Sequence, residues 1–389
     1  MSENVTPLYP DKERKRKARR RIFSMAGIVV LVLLAVFVIL FHQQLNLDRI
    51  RRFFTYRSVS CSETYGQYTF DAHNSNAYRA FDGGLAVASV AGLDLYGPSG
   101  EELVTIPKAM GAPAVAAGDN LVMAYDVGGK SILAANGKSG SLLELETDRP
   151  IFDVDVSQDG QICYAAASDA YKTVLTVLDE KQKEKYQWYS SSQYLPLCAI
   201  ADGGAQLAAV AVGQSDGVFE SSLRLFSTDQ EEAGPVTSLG NQLILDVDFV
   251  DAKRICTVGE HSMAFFDLEG AQQGTYSYED QYLKDFDLSG NGFVALSLNM
   301  YQAGSRFSVV TVDFDGQEMA NLLVGAEILS ISAAGNYLAV LTDAKLQIYT
   351  SDLTLYAETE ELYGASSVAM RDDGSALLIG SGGAHLYLP

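Results

Sequence analysis

The stretch DVDVSQDGQICYA, residues 153–165, contains the pattern that decides the fold of this chain. A short alternating segment, DVDV, leads through the polar turn SQDGQ into the apolar run ICYA. Period-two alternation and β-branched residues indicate strands, and an Asp-Gly pair between them favours a tight turn. A second stretch, DFDLSGNGFVAL at residues 285–296, repeats the arrangement. Each stretch therefore predicts two antiparallel strands joined by a turn.

The same turn recurs at intervals of about 40 residues, which is typical of a repeat architecture. The turns are centred near Asp82, Asp119, Asp159, Asp202, Asp251, Gly290, Gly335 and Asp373. An apolar run follows each turn, and most units then continue through a second strand, a polar turn and a further strand. No long stretch of this region shows a helical period. The repeats therefore predict an all-β chain whose four-stranded units pack face to face as a β-propeller.

The two ends of the repeat region bear on the number of blades. The last unit, residues 366–389, stops after three strands, whereas residues 63–72 form a spare strand before the first unit. An N-terminal strand that completes the last blade would close the ring and remove exposed sheet edges. We expect eight blades, with seven as the alternative if the long unit at residues 194–242 is misassigned.

The N-terminal region predicts a membrane anchor. Residues 22–41 contain no charge and follow a dense basic run. Twenty helical residues span the roughly 30 Å hydrocarbon core of a bilayer. A cleavable signal peptide would have a shorter apolar core and a small-residue cleavage site. The excess of Lys and Arg before this segment predicts a cytoplasmic N-terminus. We expect a basic cytoplasmic arm at 1–21, a transmembrane signal-anchor helix at 22–41, a juxtamembrane linker at 42–60 and an extracytoplasmic propeller at 61–389.

The Asp-Gly and Gly-Asn turns before apolar strands resemble those of the WD40-like and quinoprotein-like β-propeller superfamilies. The resemblance covers nearly all of residues 61–389. The Trp-Asp and Gly-His pairs of WD40 repeats are absent, and a single tryptophan, Trp188, does not supply the blade-by-blade tryptophans of quinoproteins. With its short arm and single span, the chain resembles an uncharacterised family of membrane-anchored propellers from Gram-positive bacteria. That resemblance implies the architecture and no activity.

Charge and cysteine content narrow the classes of partner. Residues 58–389 carry 16 Lys/Arg against 45 Asp/Glu, a formal charge of −29. Such a surface repels nucleic-acid phosphates, so we expect no nucleic-acid partner. The cysteines are Cys61, Cys163, Cys198 and Cys256, and none belongs to a C-x-x-C pair. We expect the three in the repeats to be small buried apolar residues. Four thiols in an exported domain could form two disulfides, but their spacing specifies no pairing. No cofactor is predicted.

Three units carry paired aspartates in the first strand. The pairs are Asp153 with Asp155, Asp246 with Asp248, and Asp285 with Asp287. Residues i and i+2 of a strand project to one side, so each pair presents two carboxylates together, on the strand that we expect beside the central channel. One hypothesis is an acid-lined channel that binds a hard cation such as Ca²⁺ through oxygens. The alternative is that the carboxylates accept hydrogen bonds from backbone N–H groups and pin one blade to the next.

Aromatic residues cluster in two equivalent connections between blades. KYQWYSSSQYLP contains Tyr186, Trp188 and Tyr189, and TYSYEDQYL contains Tyr276 and Tyr278. Both connections link an outer strand to the next inner strand and should emerge on one propeller face. Exposed rings there would stack on sugars or hold an extended peptide. The alternative is that the rings pack between blades, with Tyr194 and Tyr282 as equivalent core positions.

Catalytic signatures are absent from the sequence: the four histidines are scattered, and neither H-E-x-x-H nor G-x-S-x-G occurs. We therefore expect a non-catalytic, membrane-tethered binding or scaffold module for an exported protein or a cell-wall glycan. The alternative is a cell-wall carbohydrate-active hydrolase or lyase that uses carboxylates at the mouth of the channel.

Overall fold

The computed structural model describes residues 48, 51–52, 56, 67–70, 75–215, 217–301, 306–381 and 383–389. The chain divides into two compact units, Met1–Thr55 and Tyr56–Pro389. Of the first unit, Asp48, Arg51 and Arg52 are described and helical. The predicted anchor at 22–41 lies outside the described residues. In the parts of the chain that are described, no helix is both long enough and apolar enough to cross a membrane.

The second unit is built of short antiparallel strands. The chain first forms β1 (Gln67–Tyr68). Blade one contains β2 (Ala77–Phe81), β3 (Gly84–Ser89), β4 (Gly92–Tyr96) and β5 (Glu102–Pro107). Blade two contains β6 (Pro113–Ala117), β7 (Val122–Asp126), β8 (Ser131–Asn136) and β9 (Gly140–Glu146). Blade three contains β10 (Ile151–Val156), β11 (Ile162–Ala166), β12 (Thr173–Leu178) and β13 (Glu184–Ser190). Blade four contains β14 (Tyr194–Ile200), β15 (Gln206–Ser215), β16 (Val218–Ser227) and β17 (Val236–Gly240), with a 3-10 turn at Asp202–Gly204.

The remaining blades follow the same order. Blade five contains β18 (Ile244–Asp251), β19 (Arg254–Gly259), β20 (Ser262–Asp267) and β21 (Gln272–Ser277). Blade six contains β22 (Tyr282–Gly290), β23 (Phe293–Asn299), β24 (Phe307–Asp313) and β25 (Glu318–Val324). Blade seven contains β26 (Ile328–Ala334), β27 (Tyr337–Thr342), β28 (Leu346–Thr350) and β29 (Leu355–Thr359). Blade eight contains β30 (Ala365–Met370), β31 (Ala376–Gly380) and β32 (Gly383–Tyr387).

The strand order confirms the predicted eight-bladed propeller of four-stranded sheets. Residues 194–240 form one blade, so the seven-bladed alternative is wrong. The fourth strand of blade eight is β1, which pairs antiparallel with β32 through Gln67 opposite His385 and Tyr68 opposite Ala384. The spare N-terminal strand therefore completes the last blade, as the sequence predicts. The ring closes without leaving β32 as an open sheet edge.

Burial on both sheet faces explains why the second strand of each blade is almost entirely apolar. In β3, Leu85 and Val87 pack towards blade eight, whereas Ala86 and Ala88 pack towards blade two. Equivalent alternation gives a buried apolar cluster in each of the eight seams between neighbouring blades. The driving force is the removal of apolar surface from water, about 25 cal/mol per Å². Neither face of any blade is thus a solvent-exposed sheet.

The first strands of the blades form the inner ring, since each contacts the first strand of the next blade and β30 contacts β2. Parallel bridges between neighbouring blades place the strand ends on two opposite faces. Val127 pairs with Ile151 at one end of the strands, and Gly290 pairs with Gly335 at the other. We call the second end the turn face, because the eight marker turns lie there. The loop face carries the connections between successive blades and between the second and third strands of each blade.

Neighbouring marker turns touch one another on the turn face. The Asp119 N–H donates to the Gln158 carbonyl (3.3 Å), and the Gln158 N–H donates to Asp202 Oδ1 (2.9 Å). Gly118 allows this approach, because a Cβ at that position would lie 2.3 Å from the Ser157 carbonyl oxygen. The glycine in this turn is therefore required by contact between blades two and three.

Ring closure is reinforced by a closure cluster of Arg371, Tyr56 and Tyr68. The buried Arg371 guanidinium donates to the hydroxyl of Tyr56 (2.9 Å), the hydroxyl of Tyr68 (2.9 Å) and the carbonyl of Gly84 (3.2 Å). The Tyr68 hydroxyl donates in turn to the carbonyl of Pro98 (3.1 Å). Blade eight, the N-terminal segment and blade one are joined by these bonds on the turn face.

Replacing Arg371 tests the closure cluster. Arg371→Met keeps the length of the side chain but leaves buried oxygens without their donor, so we expect the free energy of unfolding to fall by about 2–4 kcal/mol. Arg149→Met is the control, since Arg149 pairs with Asp169 on the surface, where such pairs contribute about 1 kcal/mol or less. Urea unfolding followed by circular dichroism measures both. Equal effects of the two substitutions would contradict the role of Arg371.

Candidate functional site

The exposed apolar side chains are distributed unequally between the two faces. Some lie along the outer strands, among them Leu103, Leu142, Met319 and Leu323. The others lie at the loop face: Val90, Val127, Tyr171, Tyr189, Tyr194, Val218, Phe219, Leu243, Leu245, Tyr282, Met300, Tyr301, Leu329 and Tyr363. At the turn-face ends of the outer strands, the large apolar side chains exposed to this degree among the described residues are Val236 and Leu355, each the first residue of its strand. The loop face is therefore the more apolar of the two.

Aromatic rings concentrate on the loop face of blades three, four and six. We call Tyr171, Tyr189, Tyr194, Phe219, Tyr282 and Tyr301 the loop-face arc. The ring centroids of Tyr171 and Tyr189 lie 5.0 Å apart. Lys172 Nζ lies 5.1 Å from the centre of the Tyr194 ring, within the range of a cation–π contact. The arc thus offers accessible ring faces rather than isolated side chains.

The long hairpin of β15 and β16 projects from this face. Strands β15 and β16 each have ten residues and pair as far as Ser215 opposite Val218. The second and third strands of the other blades have five to seven residues. The hairpin therefore extends beyond the face and carries Phe219 near its tip. At its base, Arg224 donates two hydrogen bonds to Gln193 Oε1 (3.1 and 2.7 Å), which fixes the connection between blades three and four.

The aromatic residues predicted on β13 divide between seam and surface. Tyr186 and Trp188 project into the seam between blades three and four, where the Trp188 ring lies 4.9 Å from that of Phe226. The buried Tyr186 hydroxyl has no hydrogen-bond partner among the described residues. Tyr189 projects to the opposite side and is 46% exposed. Alternation along the strand thus leaves Tyr189 as the accessible ring of the three.

The two tyrosines predicted on and after β21 are held by the protein. Tyr278 is 2% exposed, and its hydroxyl donates to the Gly259 carbonyl (2.5 Å). The half-buried Tyr276 donates to Glu318 Oε2 (2.5 Å), and burial raises its pKa above the ordinary value. The alternative placement of Tyr194 and Tyr282 in the core is wrong, because they are 50% and 45% exposed. Each is the first residue of an innermost strand and precedes the start of the seam.

The aspartate pairs of blades three and six hold the next blade by its backbone. Asp153 Oδ2 accepts from the Cys198 N–H (2.9 Å) and Asp155 Oδ2 from the Ile200 N–H (2.9 Å). In the same way Asp285 and Asp287 accept from the N–H groups of Ile331 (2.9 Å) and Ala333 (2.8 Å). These hydrogen bonds agree with the alternative hypothesis, in which the carboxylates pin one blade to the next. The oxygens that point towards the next blade are thus already occupied.

The pair in blade five accepts hydrogen bonds from its own strand. Asp246 Oδ1 accepts from the N–H of its neighbour Val247 (2.8 Å), and the Asp248 carboxylate accepts from the N–H of Phe249. Burial, together with the charge of the Asp153 carboxylate, raises the pKa of Asp246 to about 7. Burial and the neighbouring Asp246 raise the pKa of Asp248 to about 7. Burial and Asp248 raise that of Asp155 to about 8. These inner carboxyls therefore retain protons near neutral pH.

A polar cavity occupies the centre of the ring towards the turn face. Its volume is about 400 Å³, and its lining includes Asp285, Asp287, Ser330 and Ser332. Arg79 reaches from blade one to Ser289 in blade six, with 2.8 Å between Nη2 and Oγ. No group of three or more Asp, Glu, His or Cys side chains is placed to hold a metal ion anywhere in the described residues. The predicted cation site at the six aspartates stays a prediction.

The raised carboxyl pKa values predict a pH-dependent stability. The folded chain holds protons that an unfolded Asp, with a pKa of about 3.9, releases. Their stabilising contribution is thus complete below about pH 4 and is lost as the pH rises through 7 to 8. Asp248→Asn imitates the protonated form, so we expect it to stabilise the chain by about 1–2 kcal/mol at pH 8 relative to pH 4.

Urea unfolding of wild type and variant at both pH values measures this difference. Asp343→Asn, at an exposed bend outside the channel, is the matched control for the replacement of an aspartate. If Asp248→Asn changed the free energy of unfolding by the same amount at pH 8 and at pH 4, the raised pKa of this channel carboxyl would be contradicted.

Comparison with solved structures defines the class as a WD40-like β-propeller. The C-terminal WD40 domain of Sif2 superposes with a TM-score of 0.57 at 14% identity, over 84% of this chain and 97% of that one. The Dos1 propeller gives 0.57 at 10% identity, over 83% and 94%. The β-propeller domain of Cps50 (Swd1) from Myceliophteria thermophila gives 0.50 at 11% identity, over 72% and 96%. At these identities the likeness shows the fold alone.

Residues 52–360 match the family described as "Family of unknown function (DUF5711)", and the chain belongs to that family. No curated protein matches the sequence. The expected likeness to WD40-like propellers is confirmed for the fold. Membrane anchoring and an origin in Gram-positive bacteria stay predictions.

Sequence reasoning missed several members of the loop-face arc. Tyr171 and Tyr301 lie between the second and third strands of their blades, and Phe219 lies at the start of the third strand of blade four, whereas the prediction considered connections between blades. Their signal was the unusual length of these segments. The β11–β12 loop spans residues 167–172, and the β23–β24 connection spans 300–306. Longer connections on one face increase the accessible surface area of that face.

Proposed function

We propose that this chain is a membrane-tethered, extracytoplasmic and non-catalytic binding module that docks a protein partner on its loop face. The observation that carries the proposal is the unequal distribution of exposed apolar side chains between the two faces. A fold of this kind is consistent with a binding or scaffold role. Exposed apolar groups that converge on one face of a soluble domain are typical of interaction surfaces.

The loop-face arc has the composition of an interface centre. Tyrosine and phenylalanine bury large areas with little loss of side-chain entropy and are enriched where interfaces are buried. Tyr189, Tyr194 and Tyr282 lie at strand ends, so little ordering cost is incurred there on binding. Charged residues around them include Glu260, Glu279 and Asp280, on a propeller of formal charge −29. The partner segment that fits this surface is apolar at its centre and basic at its margin.

The channel carboxylates support a structural role rather than catalysis. Asp153, Asp155, Asp285 and Asp287 accept backbone N–H bonds from neighbouring blades, which fixes their orientation within the ring. A glycosidase needs one carboxylate free to act as nucleophile or base opposite a general acid. A cell-wall glycan hydrolase or lyase is the alternative, and the experiment below includes an arm for it.

Site-specific photo-crosslinking in intact cells tests the docking face. A photoreactive residue at Tyr194 or Tyr282 should give the same discrete protein adduct, because both positions lie on the arc. The matched controls are Lys253 on the turn face and Leu323 on an outer strand, both exposed, and these should give none. Protease added to the cells should remove the adduct if the propeller is extracytoplasmic.

Binding of the identified partner to purified variants gives the magnitude. Phe219→Ser and Tyr282→Ser should each weaken affinity about tenfold or more, as expected for exposed anchors that become buried. Leu323→Ser should leave affinity unchanged. The proposal fails if all four crosslinking positions give the same adducts. It also fails if purified chain releases reducing ends from peptidoglycan, which would support the enzyme.

A further inference from the structure

Two cysteine thiols face each other across the seam between blades three and four. Cys163 Sγ lies 3.6 Å from Cys198 Sγ, and both side chains are buried. The two residues belong to one apolar cluster of that seam. Cys256 is buried in a different seam, between blades five and six. Cys163 and Cys198 are thus a pair, whereas Cys256 is packed apart from them.

The backbone on both sides of the pair is fixed. Cys163, on β11, pairs with Asp155 of β10 within the ladder of blade three. Cys198, on β14, donates its N–H to Asp153 Oδ2 (2.9 Å). The bonds that hold blade four against blade three therefore also hold the two thiols in register. A disulfide has a sulfur–sulfur distance of about 2.05 Å, so the sulfurs need to approach by roughly 1.5 Å.

We propose that Cys163 and Cys198 are the site of an interblade disulfide. The two S–H bonds break and one Sγ–Sγ bond forms, with release of two protons and two electrons. The electrons reduce a disulfide co-reactant, either a small-molecule disulfide or a dithiol oxidase in its disulfide form, to two thiols. The reaction passes through a mixed disulfide between one cysteine and the co-reactant.

The burial of the pair indicates when this reaction takes place. Thiol–disulfide exchange requires a thiolate that the co-reactant can reach. In the closed seam neither thiol is accessible, and the hydrogen bond with Cys163, together with burial, raises the pKa of Cys198 well above the usual thiol value. Oxidation therefore takes place while blades three and four are still assembling. Once the seam is closed, the same burial protects the bond from reductants.

The bond has a structural consequence for the loop face. It closes the segment between residues 163 and 198, which contains Tyr171 and Tyr189 of the loop-face arc and leads into Tyr194. A covalent link between two seam strands limits the separation of blades three and four. The disulfide thus stabilises the part of the ring that carries three of the six arc residues.

Oxidative refolding of the full-length chain tests the proposal. The reduced, urea-unfolded chain is refolded in a mixture of reduced and oxidised glutathione and then unfolded in urea that contains N-ethylmaleimide, so that every free thiol, buried or not, is blocked. The chain is then reduced and labelled with a maleimide–polyethylene glycol. Wild type and Cys256→Ser should each gain two labels. Cys163→Ser and Cys198→Ser should gain none. Peptide mass spectrometry should find residues 163 and 198 in one cross-linked pair.

Thermal unfolding of the wild-type chain gives a second readout that needs no variant. The oxidised chain should unfold about 5 °C or more above the reduced one, as expected for a bond that closes a loop of this length. The same comparison on the double variant Cys163→Ser/Cys198→Ser should show no shift. A refolded chain whose thiols are all blocked in the first step would overturn the proposal. So would a disulfide that contains Cys61 or Cys256.

Discussion

Each blade of this protein buries both faces of its sheet, and for that reason the fold depends on the seam between blade eight and blade one. Seven of the seams join blades that follow one another in the chain. The eighth joins the two ends of the propeller and is completed by β1, a strand of two residues. Such a short ladder contributes little by itself. Its position is therefore secured by side chains, chiefly the Arg371 guanidinium bonded to Tyr56 and Tyr68.

The inner ring solves a related problem with carboxylates. Strands that converge on an axis leave backbone N–H groups without partners in their own sheet. Aspartates of blades three and six accept hydrogen bonds from such N–H groups of the blade that follows each of them. In blade seven, Ser330 and Ser332 accept from Val368 and Met370 in the same way without a charge. The use of aspartates as acceptors places several carboxyl groups around one channel. Burial and mutual repulsion then keep some of them protonated near neutral pH.

Much of this architecture could be predicted from the sequence because each blade repeats its own physical signal. The Asp-Gly turns mark the passage from first to second strand, and the apolar runs mark strands buried on both sides. The incomplete last unit and the spare strand before Asp82 predicted the closure by β1. Individual side chains were harder to place. Trp188 and Tyr189 are adjacent, yet one is in a seam and the other in solvent, since strand register decides which side each faces.

The loop-face arc was missed in part for a similar reason. Tyr194 and Tyr282 occupy the first position of their strands, where alternation predicts burial but the neighbouring blade does not yet cover them. Tyr171 and Tyr301 belong to connections whose length is visible in the sequence, and Phe219 belongs to the long hairpin of blade four, whereas their convergence on one face depends on the closed ring. The contact between Cys163 and Cys198 likewise joins residues that only the packing of two blades brings together.

The surface proposed for binding and the thiol pair beneath it both presuppose a closed ring. Hydrogen–deuterium exchange on two truncated chains tests closure most directly. A chain that lacks residues 1–55 keeps Tyr56 and β1, whereas one that lacks residues 1–70 loses both. The account predicts that the shorter chain loses amide protection in β30–β32 and in β2–β5, while blades three to six change least. Equal protection of blades one and eight in the two chains would contradict it.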